Sequence, residues 1–434
     1  MSERLHRRLL ARAVDPEAVF VALERDESDI FWLDAGAAAE GWSYVGVGED
    51  AAFPAQVRLD TTEAPTVPPF GGGWVGWRDY ESGARAAGAP VAESGAESES
   101  GAWMRVTRLL AVDHGTGDCW ALASDGELDD WERVILAAPA PSDPTVAVTR
   151  SRARARHTPD EYRMLIERCR ELIRAGIAYQ LCLTTRFTID GAHDPVDIYR
   201  RLRAATPAHH GGFLRMRGRS LLSASPEQFL HAEGGSVRTR PIKGTRPRGD
   251  TPERDAELVA ELATDEKERA ENVMIVDLMR NDLSRVCVPG SIRVDALWSV
   301  ETYPAVHQLV STVSGTIADG VDVGGLFDAT FPAGSMTGAP KLSAMTRLHE
   351  LEGGPRGVYS GCFGYIGTGG QLDLAMVIRS IVIDADRAVV GAGGGITWRS
   401  VAASEVAEVA TKAAAPLAAL GADTPVAWAS DILS

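Results

Sequence analysis

A lysine held between proline and glycine residues is the first position in this sequence that could carry out chemistry. Lys243 follows Pro241 and precedes Gly244, in a basic stretch that runs to Gly249. Proline restricts the backbone, and glycine allows a positive φ or a close approach, so the lysine can be held in one orientation. Such a lysine could act as a nucleophile or bind an anion. On this stretch alone, a solvated basic turn is the commoner explanation.

Two glutamates lie three residues apart in a predicted helix that runs from about Thr251 to Arg285. At 100° per residue, Glu271 falls on the apolar face of this helix, and Glu268 lies one turn earlier. A carboxylate on a buried face must be paired, protonated or bound to a cation. The sequence therefore leaves metal ligation and a buried ion pair to arginine as the two explanations.

A second pair of glutamates lies near the C-terminus, in a predicted helix from about Ala402 to Leu420. Glu405, Glu408 and Lys412 form one narrow strip on this helix, where Glu408 and Lys412 could be an ordinary surface ion pair. Together with the first pair, however, these glutamates could build a site made only of oxygen ligands. Such ligands, with water and a bound anionic substrate, suit Mg²⁺.

Two glycine-rich segments could bind an anion through their backbone N–H groups. Segment 334–341 does not satisfy the phosphate-loop pattern, and segment 391–396 has isoleucine where a dinucleotide fingerprint needs glycine. Exposed N–H groups bind a carboxylate as well as a phosphate. Tyr359 and Arg379, which lie near these segments in the sequence, could share an anionic ligand with them.

His307 and Glu227 are candidates for proton transfer. His307 stands alone beside a predicted strand, where a satisfied core histidine is the simpler explanation. Glu227 lies at the start of a predicted strand and is a general-acid candidate, with a turn carboxylate as the alternative. The local sequence alone assigns neither residue.

The elements that must position these residues are short strands separated by single long helices, a pattern that predicts an α+β fold with antiparallel sheets. Residues 1–145 are rich in predicted strands, and a cluster of prolines between Ala137 and Pro144 marks a boundary to a second region, residues 150–425. Residues 83–101 are predicted to form a mobile loop. Residues 372–383 are predicted to form one strand.

The overall composition limits the classes of function. The formal charge of −16 argues against a general nucleic-acid or anionic-membrane binder, and no apolar run of about 18 residues predicts a membrane span. The five cysteines show neither a C-x-x-C pattern nor an even framework, which favours a reducing compartment and argues against structural zinc. The N-terminus lacks the apolar core of a secretory signal, so we expect a cytoplasmic protein.

Several ordered motifs in this sequence resemble those of the chorismate-utilising enzymes. This family includes the synthase components that make anthranilate and aminodeoxychorismate, and the isochorismate and salicylate synthases. The resemblance covers about residues 158–420. It implies one large α+β assembly in which two antiparallel sheets pack together with helices outside. The motifs are Pro241-Ile242-Lys243-Gly244-Thr245, Ala270-Glu271-Asn272, Asp277 to Asp282, Gly334 to Lys341, Ile378-Arg379 and Gly393-Gly394-Gly395-Ile396.

The resemblance also implies a role for each candidate residue around bound chorismate and Mg²⁺. Glu227 would help the C4 hydroxyl to leave, and His307 would assist proton transfer or elimination. The ligands of Mg²⁺, which would bind the ring carboxylate, would be Glu271 and Glu408, with Glu268 and Glu405 nearby or acting through water. The substrate-binding residues would be Gln180, Gly244, Thr245, Ser335, Tyr359, Arg379, Gly393, Gly394, Gly395 and Lys412.

Two positions indicate which reaction the resemblance implies. Lys243 stands where anthranilate synthases usually have alanine and aminodeoxychorismate synthases have a lysine that is thought to attack ring carbon C2. Gln180 stands where water-using members carry a lysine base. The resemblance therefore implies amination of chorismate to 4-amino-4-deoxychorismate, for the para-aminobenzoate branch of folate biosynthesis. A nucleophilic amine must be neutral, so burial or positive neighbours such as Arg246 should lower the pKa of Lys243.

The sequence leaves two other functions open. One is anthranilate synthase component I, which converts chorismate to anthranilate and pyruvate. The other is a non-catalytic ligand-binding subunit that retains the fold, which would predict damaged metal or substrate positions. No glutaminase signature is evident, so we expect ammonia from a separate glutamine amidotransferase subunit. Gln228 departs from the family pattern, which usually has arginine after the Ser-Pro-Glu glutamate.

Overall fold

The computed structural model describes residues 5–36, 40–61, 66–92, 101–142, 151–304 and 306–429. The predicted boundary at residues 145–150 lies outside these ranges and stays a prediction. Residues 93–100 of the predicted mobile loop also lie outside them. The loop prediction is wrong at its start, because a helix covers Tyr80–Ala86.

The described chain alternates between strands and helices, as the sequence predicts. Its helices are α1 (Pro16–Glu24), α2 (Tyr80–Ala86), α3 (Leu128–Ala137), α4 (Pro159–Arg174), α5 (Pro195–Ala205), α6 (Pro252–Thr264), α7 (Glu266–Ser284), α8 (Val323–Thr330), α9 (Lys341–Glu352), α10 (Ala402–Ala419) and α11 (Val426–Ala429). None of the helices in these described ranges combines the length and the apolar character needed to cross a lipid bilayer.

The strands of the described chain are mostly short. They are β1 (His6–Leu9), β2 (Ile30–Asp34), β3 (Trp42–Ala51), β4 (Gly73–Arg78), β5 (Ala102–Asp113), β6 (Cys119–Ala123), β7 (Ser151–Arg152), β8 (Arg154–Ala155), β9 (Gln180–Asp190), β10 (His210–Met216), β11 (Arg219–Ser225), β12 (Gln228–Glu233), β13 (Ser236–Thr239), β14 (Ile242–Pro247), β15 (Arg293–Thr302), β16 (Val306–Thr316), β17 (Gly338–Ala339), β18 (Cys362–Gly367), β19 (Leu372–Met376), β20 (Ser380–Ile383), β21 (Arg387–Ile396) and β22 (Ala422–Asp423).

Apart from the parallel pair β7–β22, these strands pair antiparallel in one network with two limbs. The first limb runs β6, β5, β3, β2, β10, β11, β20, β21 and β9. The second limb runs β5, β4, β18, β19, β12, β13 and β16, and β16 also pairs with β14 and β15. Strand β5 belongs to both limbs, because residues 102–105 pair with β4 while residues 109–112 pair with β6.

The two limbs pack face to face across a core of aromatic and aliphatic side chains. The rings of Tyr44 in β3 and Tyr365 in β18 lie 5.7 Å apart. Phe363 of β18 fills the space that a side chain on Gly212 of β10 would need. Two further cores lie under helices, with α4, α5 and α10 on the first limb and α7 and α8 on the second. The predicted α+β assembly of two packed antiparallel sheets is confirmed.

The helix predicted from Thr251 to Arg285 is two helices. Asp265 takes an extended backbone conformation, ends α6 and caps α7 by accepting the N–H groups of Lys267 and Glu268, both at 3.0 Å. Aspartate favours N-caps over helix interiors because its carboxylate competes for backbone hydrogen bonds. Arg246 of β14 donates to the same carboxylate at 2.8 Å, so the cap ties the start of α7 to β14.

Two further predictions of local structure are wrong. The stretch around Lys243 is the strand β14 rather than a solvated turn, since it pairs with β16 across a bulge. The single strand predicted over residues 372–383 is two strands, β19 and β20. Between them lies Arg379, whose φ is +53°. A residue other than glycine rarely takes a positive φ, and such strain occurs mainly at functional sites.

A buried ion pair holds several of these elements together. The guanidinium of Arg356 donates to both carboxylate oxygens of Glu352, the last residue of α9, at 2.8 and 2.7 Å. It also donates to the backbone carbonyls of Met336 and Cys182. Its central carbon lies 4.2 Å from the centre of the Tyr80 ring in α2. The two charged side chains are 1% and 4% exposed, so water cannot replace either partner.

We expect Arg356→Met to lower the free energy of unfolding by about 3–5 kcal/mol, because it leaves a buried carboxylate without its partner. Urea denaturation followed by tryptophan fluorescence measures this loss. Arg347→Met is a matched control, since Arg347 pairs with Glu350 on the exposed face of α9 and its loss should cost less than about 1 kcal/mol. Equal stability of the two variants would contradict the structural role of Arg356.

Candidate functional site

One cavity of about 510 Å³ collects most of the residues that the sequence singles out. It lies between β21 of the first limb and β14 and β16 of the second, with α7 and α10 beside it. Its volume is that of a small-molecule site. The predicted residues that line it are Glu227, Lys243, Gly244, Thr245, Glu268, Glu271, Ser335, Tyr359, Arg379, Gly393, Gly394, Gly395, Glu405, Glu408 and Lys412.

Strand β14 presents Lys243 to this cavity. The next residue, Gly244, has a φ of +84°, and a Cβ there would lie 2.8 Å from Leu262, so glycine is required on both grounds. The Lys243 side chain is 16% exposed, and its Nζ lies 3.9 Å from Glu271 Oε2. At this distance the two groups attract as charges without a hydrogen bond. The amine is therefore held inside the cavity but is not locked to a partner.

The predicted lowering of the Lys243 pKa is wrong. Burial by itself lowers this pKa, but nearby acidic groups, led by Glu271 and including Glu227 and Glu408, outweigh burial and raise it. Arg246, which was expected to favour a neutral amine, is instead bound to the acidic N-cap of α7. In the protein without ligands, Lys243 is consequently an ammonium group.

The two glutamate pairs meet in this cavity from α7 and α10. Burial raises the pKa values of Glu268, Glu271 and Glu405, and neighbouring carboxylates add to the rise. For Glu408, burial is outweighed by the ion pair with Lys412 at 2.7 Å and by other lysines, and its pKa is lowered. The lysines beside this cluster offset part of its negative charge, and the raised pKa values of Glu268, Glu271 and Glu405 indicate that ionising these carboxylates remains costly.

The oxygen donors of these glutamates fit Mg²⁺. Glu271 is 12% exposed, and its Oε1 has no hydrogen-bond partner in the described chain. Across the described ranges, however, no three acidic, histidine or cysteine side chains stand close enough together to hold an ion by themselves. The protein would therefore supply only part of an octahedral ligand set and leave the rest to water and substrate, as Mg²⁺ prefers.

Arg379 and Tyr359 can bind a carboxylate in the same cavity. Burial lowers the pKa of Arg379, and no described carboxylate forms an ion pair with it. Burial also raises the pKa of Tyr359, so its phenol remains a hydrogen-bond donor. Lys412 donates to the Gly393 carbonyl at 2.9 Å, which places a second cation beside the glycine-rich strand. A planar guanidinium and a phenol together suit an anionic ligand.

Strand β21 leaves room for a ligand because glycine occupies three successive positions. A Cβ on Gly395 would lie 3.1 Å from Lys243 Nζ and 2.5 Å from Gln180 Nε2, so a side chain there would displace both. Gln180 is fully buried and does not itself line the cavity. Neither polar atom of its side chain has a partner in the described chain. An unpaired amide this close to Lys243 calls for a ligand or a water molecule.

Glu227 has the acidity expected of a general acid near neutral pH. Burial raises the pKa of Glu227 to about 7, and a hydrogen bond from Ser335 opposes this rise. The carboxyl group is therefore partly protonated at neutral pH, the state that can donate a proton to a leaving hydroxyl. Its catalytic role stays a prediction that this environment supports.

The structure does not bring His307 into the cavity, so it gives no support to the predicted role of His307 in proton transfer or elimination. Its Nε2 and Nδ1 bind Asp255 and Thr302 at 2.8 and 2.9 Å. Successive residues of a strand face opposite sides, and the next residue of β16, Gln308, lines the cavity instead. Gln308 is 4% exposed, and its Oε1 lacks a partner in the described chain. Alternation along β16 was the sequence signal that could have identified it.

Comparison with known proteins gives the same family throughout. Residues 7–418 match the model of the family described as chorismate binding enzyme. The chain is 39% identical to the aminodeoxychorismate synthase of Streptomyces pristinaespiralis, over 99% of this chain and 67% of that protein. It therefore spans about two thirds of the length of this relative.

Two proteins named for anthranilate synthesis are also similar. The chain is 36% identical to anthranilate synthase component 1 of Streptomyces coelicolor, over 96% of this chain and 88% of that protein. The crystal structure of anthranilate synthase component I from Streptococcus pneumoniae superposes with a TM-score of 0.74 at 27% identity. The match covers 96% of this chain and 93% of that one. Overall similarity alone therefore does not separate the two activities.

We expect Glu227→Gln to stabilise the protein more at high pH than at low pH. Burial favours the protonated form of this carboxyl, so the wild type loses stability as the pH rises from 4.5, the usual pKa, to about 7, the pKa in the folded protein. The gain in the variant should approach about 3 kcal/mol, the free energy of a shift from 4.5 to about 7. Thermal unfolding at about pH 5 and about pH 8.5 measures it.

The control for this experiment is Glu253→Gln, at an exposed position of α6. It should show no gain that depends on pH. A Glu227→Gln variant that gains the same stability at both pH values would show that the Glu227 pKa is not raised.

Proposed function

The chain belongs to the chorismate binding enzyme family, and on this basis we propose that it aminates chorismate at ring carbon C4. Ammonia replaces the C4 hydroxyl, and the products are 4-amino-4-deoxychorismate and water. The proposal includes Mg²⁺ as the cofactor and a separate glutamine amidotransferase subunit as the source of ammonia. The name of the 39% identical relative, aminodeoxychorismate synthase, supports this choice over the other reactions of the family.

The observation that carries the proposal is the position of the Lys243 amine. Three lysines line the cavity, but Lys412 is bound to Glu408 and to a backbone carbonyl, and Lys267 lies among the glutamates. Within the described ranges Lys243 makes one ion contact, at 3.9 Å with Glu271, and its Nζ lies beside Gly395, where a Cβ would come within 3.1 Å of it. It is therefore the amine that can reach a substrate ring bound there.

The residues of the chain then divide the reaction between them. Arg379 and Tyr359 hold the enolpyruvyl carboxylate of chorismate. Lys243 forms a bond to C2 while Glu227 gives its proton to the C4 hydroxyl, which leaves as water as the ring double bond shifts. Ammonia then adds at C4 and Lys243 leaves C2, which restores the double bond and the free lysine. The added nitrogen returns a proton to Glu227.

Magnesium would be held by Glu271 and Glu408, with Glu268 and Glu405 nearby. When bound, it would accept the ring carboxylate of chorismate and neutralise Glu271, the leading acidic group that raises the pKa of Lys243. A neutral amine is the form of Lys243 that the proposed attack requires.

Anthranilate synthase component I is the alternative that the similarity to such proteins favours. That reaction also removes pyruvate and a ring proton, which requires a base near the ring. Among the described residues that line the cavity there is no histidine, and the amide of Gln308 cannot act as a base, so any base would have to be a carboxylate or a lysine that the proposed amination already uses or that lies among the glutamates. These features favour a product that keeps its enolpyruvyl group. A non-catalytic subunit is disfavoured because the predicted metal and carboxylate-binding residues are intact.

Product analysis tests the reaction directly. We expect chorismate, Mg²⁺ and ammonium salts to yield a product with the mass of aminodeoxychorismate, which an added aminodeoxychorismate lyase converts to para-aminobenzoate. Accumulation of fluorescent anthranilate without the lyase would refute C4 amination. Turnover that is unaffected by removal of all divalent metal would refute the magnesium role.

Two substitutions of Lys243 separate its possible roles. Lys243→Ala and Lys243→Arg should both lower the rate of C4 amination by at least about a hundredfold, since neither side chain is a nucleophile. Lys243→Arg retains the positive charge and is thus the matched control. If it kept wild-type rates and product, Lys243 would supply only charge. Chorismate binding measured by calorimetry checks that both variants keep the site.

A further inference from the structure

Lys267 lines the cavity but has no role in the proposed reaction and was not among the predicted site residues. It is the second residue of α7, and its Nζ lies 3.6 Å from Glu405 Oε1 and 3.9 Å from Glu271 Oε1. It thus faces one carboxylate from each of the two helices that carry the glutamate pairs. The Glu271 oxygen that it faces is the one that has no hydrogen-bond partner in the described chain.

The position of Lys267 in the first turn of α7 is electrostatically unfavourable. The first turn of a helix carries a partial positive charge, so a cation there is disfavoured. Its backbone N–H already donates to the Asp265 cap, so its side chain is not needed to start the helix. The compensation must come from the two carboxylates. Lys267 is held in place by the negative charge that a metal ion would otherwise neutralise.

The composition of the chain gives an independent reason to single out this residue. Only four of its 44 basic residues are lysines, and three of those four line this cavity. Arginine binds carboxylates with a rigid fork, whereas lysine is a compact point charge on a flexible stem. The Lys267 side chain is 46% exposed, so it has a path to solvent. The lysine at this position is therefore a cation that can move away from the carboxylates, and an arginine would be held more rigidly.

We propose that Lys267 occupies the place of the cation in the metal-free protein and must leave Glu271 and Glu405 when Mg²⁺ binds. Lys267 therefore sets the affinity of the site for Mg²⁺ by competing with the metal for the same oxygens. It also prevents the four carboxylates from repelling one another while the site has no metal. This inference rests on the magnesium site of the proposed function.

Calorimetric titration of the full chain with MgCl₂ at constant ionic strength tests the inference. Lys267→Gln should bind Mg²⁺ roughly tenfold more tightly than wild type, because two partly exposed ion pairs no longer compete. Lys267→Arg should bind it more weakly, because the guanidinium can bridge both carboxylates. Arg269→Gln is the matched control, since it removes the same charge from the same helix at a side chain that lies 3.8 Å from the Trp298 ring.

Thermal unfolding with and without Mg²⁺ is a second test. If Lys267 had a purely structural role, the effect of its substitution on the melting temperature would not depend on Mg²⁺. Lys267→Gln should melt below wild type without Mg²⁺ and at least as high as wild type in saturating Mg²⁺. Three results would each overturn the competition. Lys267→Gln could melt below wild type both without and with Mg²⁺, or it could bind Mg²⁺ no more tightly than Arg269→Gln does. The third is that Lys267→Arg binds Mg²⁺ as tightly as wild type. If wild type binds Mg²⁺ in these cases, the magnesium site itself stands. If neither wild type nor any variant binds Mg²⁺, the proposed magnesium site fails together with the competition, and product analysis still decides C4 amination separately.

Discussion

The ion pair between Arg356 and Glu352 is the interaction on which the geometry of the cavity depends. Glu352 accepts from the backbone of Thr184 in β9, and Arg356 donates to the carbonyls of Cys182 in β9 and of Met336. Cys182 and Met336 both line the cavity. A buried pair with every oxygen and several N–H groups engaged fixes positions that flexible apolar contacts would leave loose.

The electrostatics of the cavity follow from placing many charges where water is scarce. Four glutamates from two helices face three lysines and Arg379, and the pKa values of Glu268, Glu271 and Glu405 all rise, mainly through burial. Such an arrangement is costly in a protein without ligands and becomes favourable when a divalent cation and a dianion enter together. The proposed binding of Mg²⁺ and chorismate would offset this cost, and the lysines offset part of it before binding.

The sequence predicted the antiparallel α+β class and most residues of the cavity, because motifs such as the one around Lys243 carry residue types and spacing. The sequence did not predict features that depend on residues that are neighbours in space. The N-cap at Asp265 competes with helix propensity, and the strained backbone at Arg379 interrupts an apolar run that resembles one strand. The face of β16 on which His307 lies depends on the strand register, and an error of one residue in the assigned register places the side chain on the opposite face. The raised pKa of Lys243 depends on carboxylates that are distant in sequence.

Strand β5 joins the two limbs, and β2 and β4 from the same N-terminal part pair with β10 and β18 from the rest of the chain. A fragment that began after residue 150 would keep the cavity residues but would leave β10 and β18 with open hydrogen-bonding edges. Open edges recruit strands from other molecules. The N-terminal strands β2 and β4 therefore cover these edges and protect the chain from aggregation. Substitutions there could abolish cellular activity through insolubility while every residue of the cavity remained intact.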